Sequence, residues 1–258
     1  NRNSYKQEHG MQSIDTSALW LVLPGAGMRS AYQTGACLAL AERGIKFAGV
    51  VANSGGAAPA VMPPEAMREW ASRFDDPRFI SWKRIVSGPV MDIDFLVDGI
   101  FATQPKGDPQ PYFIAATRLP EGTLHWFSRE SGEPLLDQLR ATKTMPGISR
   151  HMVKVGGAYY ADGCLTATTE TFIAKAFAEG AKEVLVIDCS VYGGVSLSGR
   201  MLLRWWLRKA PAHVKTLVRH YCLRQTLPVQ PKPNVHVCRA ESLPTAHALM
   251  RSHSTSAL

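Results

Sequence analysis

Acidic side chains are nearly missing from the end of this chain. Residues 199–258 hold one, Glu241, against ten Lys and Arg, so a balance of +9 sits in the tail of a chain whose net charge is +8. Everything before the tail is close to neutral. Long apolar runs are missing as well, since none approaches the roughly 20 residues that a membrane-spanning helix needs. The chain does not open with a basic segment followed by an apolar one, the pattern of a secretory signal. These two absences predict a soluble, unexported, cytoplasmic protein. The five cysteines, Cys37, Cys164, Cys189, Cys222 and Cys238, are odd in number and far apart. That spacing argues against a disulfide framework or a zinc knuckle and suits a reducing compartment. No repeat or low-complexity segment occurs, and neither a metal nor an organic cofactor is expected.

What is present suits one α/β domain: 258 residues, 45% of them hydrophobic. "ALWLVL" (18–23) reads as a short apolar strand, "SAYQTGACLALAERG" (30–44) as a helix closed by Gly44, and "KFAGVVA" (46–52) as a second strand. A short helix after Ser54 and another near 65–74 follow, separated by prolines, and 75–111 reads as irregular. Strands are predicted at 111–119 and 123–128 around a Pro120-Glu121-Gly122 turn, then a helix ending at Lys143. "MVKVGGAYYADG" reads as two short strands across a glycine turn, "TETFIAKAFAEG" as a helix ended by Gly180, and "KEVLVIDCS" as a buried strand. Strands alternating with helices predict a three-layer α/β/α arrangement around a largely parallel central sheet.

Three short stretches carry chemistry. "LPGAGMRSAYQTG" follows a strand and opens a helix, but it lacks the third glycine and the later acid of a dinucleotide fingerprint, and no Gly-Lys-Ser/Thr follows it. What remains is a loop of backbone N–H groups suited to holding negative charge, either a phosphate or an oxyanion. "VVANSGGAAPAVM" puts Ser54 between a strand and a helix, where it is either an exposed nucleophile or a plain helix cap. "GGAYYADGCLT" ends a strand at Asp162, whose carboxylate could take a serine proton.

In this order the three stretches resemble the patatin-like phospholipase family. Its glycine loop stands here as Gly25-Ala26-Gly27-Met28-Arg29-Ser30, its nucleophile motif as Ala52-Asn53-Ser54-Gly55-Gly56 and its Asp-Gly motif as Asp162-Gly163-Cys164. "FIAATRLPEGTLHWFS", "LLDQLRATKTMPGISR" and "AFAEGAKEVLVID" are weaker echoes, and the resemblance spans about 18–190. It implies a patatin-like fold and a Ser54–Asp162 dyad without histidine. It also implies an oxyanion hole from the N–H groups of Gly25, Ala26, Gly27, Met28 and Gly55, with Arg29 bracing the loop or meeting a lipid phosphate. The implied reaction is hydrolysis of a phospholipid or lysophospholipid acyl ester without a metal. The alternative is a weak or inactive relative that binds lipid or protein. Ala26, Ser30, Ala52 and Cys164 depart from the family pattern by adding atoms, which is costly wherever φ must be positive. The expected division is a flexible leader over 1–17, a catalytic domain over 18–198, and basic helices with a final strand over 199–258 packed on the same domain.

Rival assignments stay open from the residues themselves. A triad would need His236 or His220 as base; His125 and His151 read as surface or half-buried residues, Asp98-Gly99 as a turn, and Asp188 as structural. In the tail, Trp205 and Trp206 lie among Arg200, Arg204, Arg208, Lys209, Lys215, Arg219 and Arg224, broken at Pro211, which reads as two amphipathic helices. Such helices suit packing on the sheet or contact with an anionic membrane surface, at the inner face of a cell membrane. No nucleic-acid motif accompanies the charge, and no nucleic-acid partner is expected.

Overall fold

A computed structural model describes residues 16–72, 76, 78–81, 83, 90–101, 110–149, 151–189, 195–224, 227–230 and 232–239. The expected leader over 1–17 lies almost wholly outside these residues, as does the end of the tail from 240 onward. The strands are β1 (Leu19–Leu23), β2 (Gly49–Ala52), β3 (Tyr112–Leu119), β4 (Thr123–Ser128), β5 (Val153–Val155), β6 (Ala158–Asp162), β7 (Glu183–Ile187) and β8 (Val235–Cys238). The helices are α1 (Ser30–Glu42), α2 (Ala57–Val61), α3 (Pro64–Ser72), α4 (Ile93–Phe101), α5 (Leu135–Lys143), α6 (Thr169–Ala178), α7 (Leu197–Trp206) and α8 (Ala212–Leu223).

One sheet runs in the order β5-β6-β3-β2-β1-β7-β8, with β4 also paired to β3. Strands β3, β2, β1, β7 and β8 are parallel, β4 and β6 run antiparallel to β3, and β5 pairs antiparallel with β6 at one end. Every residue of β1 is buried, and its side chains alternate between the two faces. Leu21 and Leu23 join a core with Val50, Ile114 and residues of α1 to α5. Trp20 and Val22 join another with Val51, Val184 and residues of α6. This alternation, two residues per repeat, is what lets one strand hold helices on both faces. A third cluster packs Leu203 and Leu207 from α7 and its end, with Val214, Val218 and Cys222 of α8, against Leu119 and Leu165.

Local signals account for most element ends. Gly44 and Gly180 adopt φ of +73° and +97° just beyond α1 and α6, the left-handed conformation that terminates a helix. Thr168 caps α6 by accepting from the Thr171 N–H, and the Thr171 side chain answers it. The expectation that 75–111 is irregular is corrected at α4. Asp92 Oδ1 accepts the Phe95 N–H at 3.0 Å as an N-cap, and Ile93, Leu96 and Val97 bury one helical face. Asp98-Gly99 therefore lies within a helix and not in a turn, and Asp98 pairs with Arg140 of α5.

The strand β3 has three neighbours on two edges. β4 runs along one edge from Phe113 to Arg118. β2 and β6 must therefore share the other edge, β2 pairing with Tyr112 to Ile114 and β6 with Ala116 to Leu119. Because β2 is parallel and β6 antiparallel to β3, their C-terminal ends face each other head-on. Ala52 stands opposite Ile114 and Asp162 opposite Ala116, about 7 Å apart along β3.

Close backbone approach at this junction sets a stability test. A Cβ on Gly56 would lie 2.4 Å from the Leu23 carbonyl oxygen, whereas one on Gly35, within α1, would meet nothing within 4 Å. Gly56→Ala is expected to destabilise by roughly 1–3 kcal/mol through overpacking, and Gly35→Ala to stabilise by about 0.5–1 kcal/mol through helix propensity. Urea denaturation of the two variants checks both signs.

Candidate functional site

Ser54 sits directly beyond the end of β2, at φ +51°, in a tight 3-10 turn over Ser54–Gly56 that leads into α2. A serine in the left-handed region is uncommon and is held there only when its surroundings over-determine it. Here its N–H donates to Thr142 Oγ1 at 2.9 Å. Its carbonyl accepts from Lys143 Nζ. Thr142 Oγ1 in turn donates to the Ala115 carbonyl at 2.6 Å, in the gap between β2 and β6. Both backbone polar groups of Ser54 are thus gripped by the last two residues of α5. The Ser54 carbonyl also takes the Ala57 N–H inside the turn.

Across the gap, Asp162 is 3% exposed. Its Oδ1 accepts from Asn53 Nδ2 at 3.2 Å and from the Cys164 N–H at 2.9 Å. The Ser54 side chain is near enough to lower the pKa of the same carboxylate. Burial pushes the Asp162 carboxyl above the usual range. The Cys164 backbone, the Ser54 side chain, the Cys164 side chain and the Lys143 charge, in falling order, pull it back. The Asp162 main chain is fixed separately, its N–H by the Thr144 carbonyl and its carbonyl by Thr117 Oγ1, each at 2.8 Å.

The glycine loop between β1 and α1 lies against this elbow. A Cβ on Gly25 would come within 2.9 Å of the Asn53 side chain, and one on Gly55 within 2.8 Å of the Gly27 carbonyl. The N–H groups of Gly25, Ala26, Gly27, Met28 and Gly55 meet no acceptor among the described residues. Gln33 anchors the loop from below, donating to the carbonyls of Pro24 at 2.8 Å and Ile187 at 3.0 Å. Arg29 Nη1 reaches the Cys189 carbonyl at 3.4 Å. A cavity of about 750 Å³ opens over these groups, with Met28, Met91, Met145, Ile148, Phe172, Leu227 and Val229 in its walls.

The four departures from the family pattern are not at strained positions. Ala26 has φ −127° and Ser30 φ −60°, and Ala52 is an ordinary buried strand residue. Among the described residues only Ser54 and Asn234 are non-glycines with positive φ. The left-handed position in the loop is Gly27, at φ +55°.

Among the described residues no histidine lines the site. His236 Nε2 meets Glu183 at 2.9 Å on β8, at the far side of the sheet, and His220 is exposed on α8. His125 is half-buried against the rings of Phe127 and Tyr160, with burial lowering its pKa, and His151 is exposed. Asp188 is buried and bonded to Arg239 at 3.2 Å. No cluster of three metal-ligating side chains occurs among the described residues.

Sequence reasoning missed Lys143 and Thr142. Lys143 is 6% exposed and lines the cavity between Ser54 and Asp162. Burial pulls its pKa from 10.5 down to about 7, against the raising effect of the Asp162 charge. Its only trace in the sequence is a basic residue at the end of a helix, which ordinarily reads as a favourable dipole contact.

The model of the patatin-like phospholipase family matches residues 21–175. Among solved structures, VipD from Legionella pneumophila is similar with a TM-score of 0.49 and 12% identity over 92% of this chain. The chain spans 64% of that protein's length. A search of curated proteins returned no match.

The burial of Lys143 has a thermodynamic consequence. Between about pH 7 and 10.5 the unfolded chain keeps a lysine proton that the folded chain has released, so folding gains stability as pH rises through this window. The stability difference between wild type and Lys143→Met is expected to move in favour of wild type from about pH 7 toward pH 10. Urea denaturation across that range checks it, and a difference independent of pH would contradict the burial of a titrating amine.

Proposed function

Because this chain belongs to the patatin-like phospholipase family, we propose that it is a serine acyl-ester hydrolase acting on phospholipid or lysophospholipid through a Ser54–Asp162 dyad. The single observation that carries the reading is that the strained Ser54 and the buried Asp162 carboxylate line one cavity together with the glycine loop. In the proposed reaction Ser54 Oγ attacks the acyl carbonyl carbon and its proton passes to Asp162. The oxygen that becomes negative is held by N–H groups of the Gly25–Met28 loop and of Gly55, which compensate charge in a site shielded from water. Collapse expels the glycerol oxygen, which takes the proton from Asp162. Water then attacks the acyl-serine, gives its proton to Asp162, and the fatty acid leaves as Ser54 recovers the proton. Arg29, at the loop's end, braces the loop against Cys189.

A fluorophosphonate tests the dyad directly, because it labels only an activated serine. The adduct and the turnover of a p-nitrophenyl ester are expected in wild type and absent in Ser54→Ala. Asp162→Asn is expected to lose roughly 10²- to 10⁴-fold or more, as loss of a catalytic base does, while His125, His151, His220 and His236 to Ala each lose little. A wild type without adduct would mark a silent, lipid- or protein-binding relative. A histidine variant as inactive as Asp162→Asn would replace the dyad by a triad.

We also propose that the tail brings the protein to the anionic face of a membrane in the cytoplasm. Leu197, Met201 and Trp205 form one exposed row on α7, at 72%, 66% and 40% exposure, while Leu203 and Leu207 face the interior. Arg200, Arg204, Arg208 and Lys209 are exposed beside the row, and the Arg208 guanidinium stacks 4.6 Å from the Trp205 ring. Trp206 is half-buried in the third cluster, so the two tryptophans face different ways. Each cation near such a surface contributes about 1 kcal/mol, and the apolar row adds a part that salt does not screen. Co-sedimentation is expected to be stronger with anionic than with zwitterionic vesicles, to weaken with salt, and to weaken again when Arg204, Arg208 and Lys209 become Glu. Cleavage of a soluble ester is expected to survive that change. Indifference to lipid charge would leave the tail as a packing element.

A further inference from the structure

The dyad chemistry makes no use of Lys143, although it is the buried cation of the site. Its Nζ donates to the Ser54 carbonyl and so grips the nucleophile's peptide group. Its neighbour Thr142 holds the Ser54 N–H. A hydrogen bond given by an ammonium is about twice as strong as one between neutral groups, so the protonated lysine grips the strained turn hardest.

The charges around it are unevenly matched. Asp162, from β6, is the acid whose charge acts on Lys143. Beyond Asp162 lie the Cys164 thiol, which burial keeps protonated, and Tyr221 of α8, whose phenol is pushed up first by the neighbouring Cys164 and then by burial. Arg224 is engaged by the Cys164 carbonyl, and Arg29 lines the cavity on the loop side. Asp94 and Asp98 of α4 are taken by Arg140, on α5 itself.

Resting on the hydrolase reading above, we propose that Lys143 is a positioning residue of this site. Its ammonium locks the Ser54 peptide and supplies the counter-charge that keeps Asp162 ionised, so the site works while Lys143 carries its proton. Without that charge the carboxylate, still held by the Cys164 N–H and by Asn53, has a higher pKa and is protonated, and so unable to act as base, over more of the acidic range. In this proposal the serine proton goes to Asp162, and Lys143 keeps its own proton throughout.

The test is the pH dependence of kcat for a soluble p-nitrophenyl ester, in wild type, Lys143→Met and Lys143→Arg. Lys143→Met is expected to lower kcat roughly 10-fold or more at about pH 6, with KM little changed and the deficit shrinking as pH rises, since a nearby opposite charge shifts a carboxylate by about a unit or more. Lys143→Arg is expected to recover part of the loss by restoring the charge. Wild-type kcat is expected to fall as pH rises past about 7, where burial places the Lys143 titration. A Lys143→Met profile that is unchanged, or lowered by the same factor at every pH, overturns the proposal, as does a folded Lys143→Met that is inactive even at high pH, which would make the lysine the base. Should Lys143→Met fail to fold, the wild-type profile decides: a kcat that stays flat to about pH 9 overturns it. A wild type with neither turnover nor fluorophosphonate adduct instead sinks the hydrolase reading itself.

Discussion

The site depends on a shared edge. Two strands of opposite direction end against each other on one side of β3, with Ala52 opposite Ile114 and Asp162 opposite Ala116. A continuous strand in that place would satisfy every β3 group along the edge, whereas two strands meeting head-on leave a short gap. The Ala115 carbonyl points into it and is satisfied by Thr142 Oγ1. A side chain on Gly163 would fill the same gap, coming within 2.5 Å of that carbonyl. Ser54 and Asp162 are therefore brought together by backbone pairing, 108 positions apart in sequence, with no need for either side chain to attract the other.

The helix α5 then does what the strands cannot. Two strand ends fix where a turn begins and leave its φ free to relax, yet Ser54 stays at +51°. The hold comes from Thr142 and Lys143, while Thr144 fixes the Asp162 N–H from the same helix end. Placing an amine and a carboxylate out of water is expensive, and each is pushed toward its neutral form by burial. Stability alone would favour apolar residues here. The proposed reaction needs a base and a held serine, which is a reason to keep charges there at that expense.

Legibility in the sequence followed the range of the interaction concerned. Strand alternation and glycine-ended helices are local, and β1, β4, α1 and α6 fall where their own residues put them. The order of the three motifs singled out Ser54, which follows β2 in a tight turn, and Asp162, the last residue of β6, and the fold brings both to one cavity. α4 was hidden by Asp98-Gly99, which ordinarily reads as a turn, although the Asp92 cap and the Ile93, Leu96, Val97 spacing were present. Lys143 was not legible at all. A lysine at a helix end is ordinary, and what singles it out is its distance from a turn 89 positions away, which only the tertiary fold sets.

The tail joins these two scales. Tyr221, Arg224, Leu227 and Val229 wall the same cavity that opens over Ser54, so the basic segment is part of the site's enclosure. Its inward residues form an apolar cluster with Leu119 and Ala161, directly behind the strand ends. Its outward residues carry the cations. The same α7 that turns Leu203 and Leu207 inward turns Met201 and Trp205 outward, so the packing of the tail on the sheet and its exposed row are two consequences of one helical period.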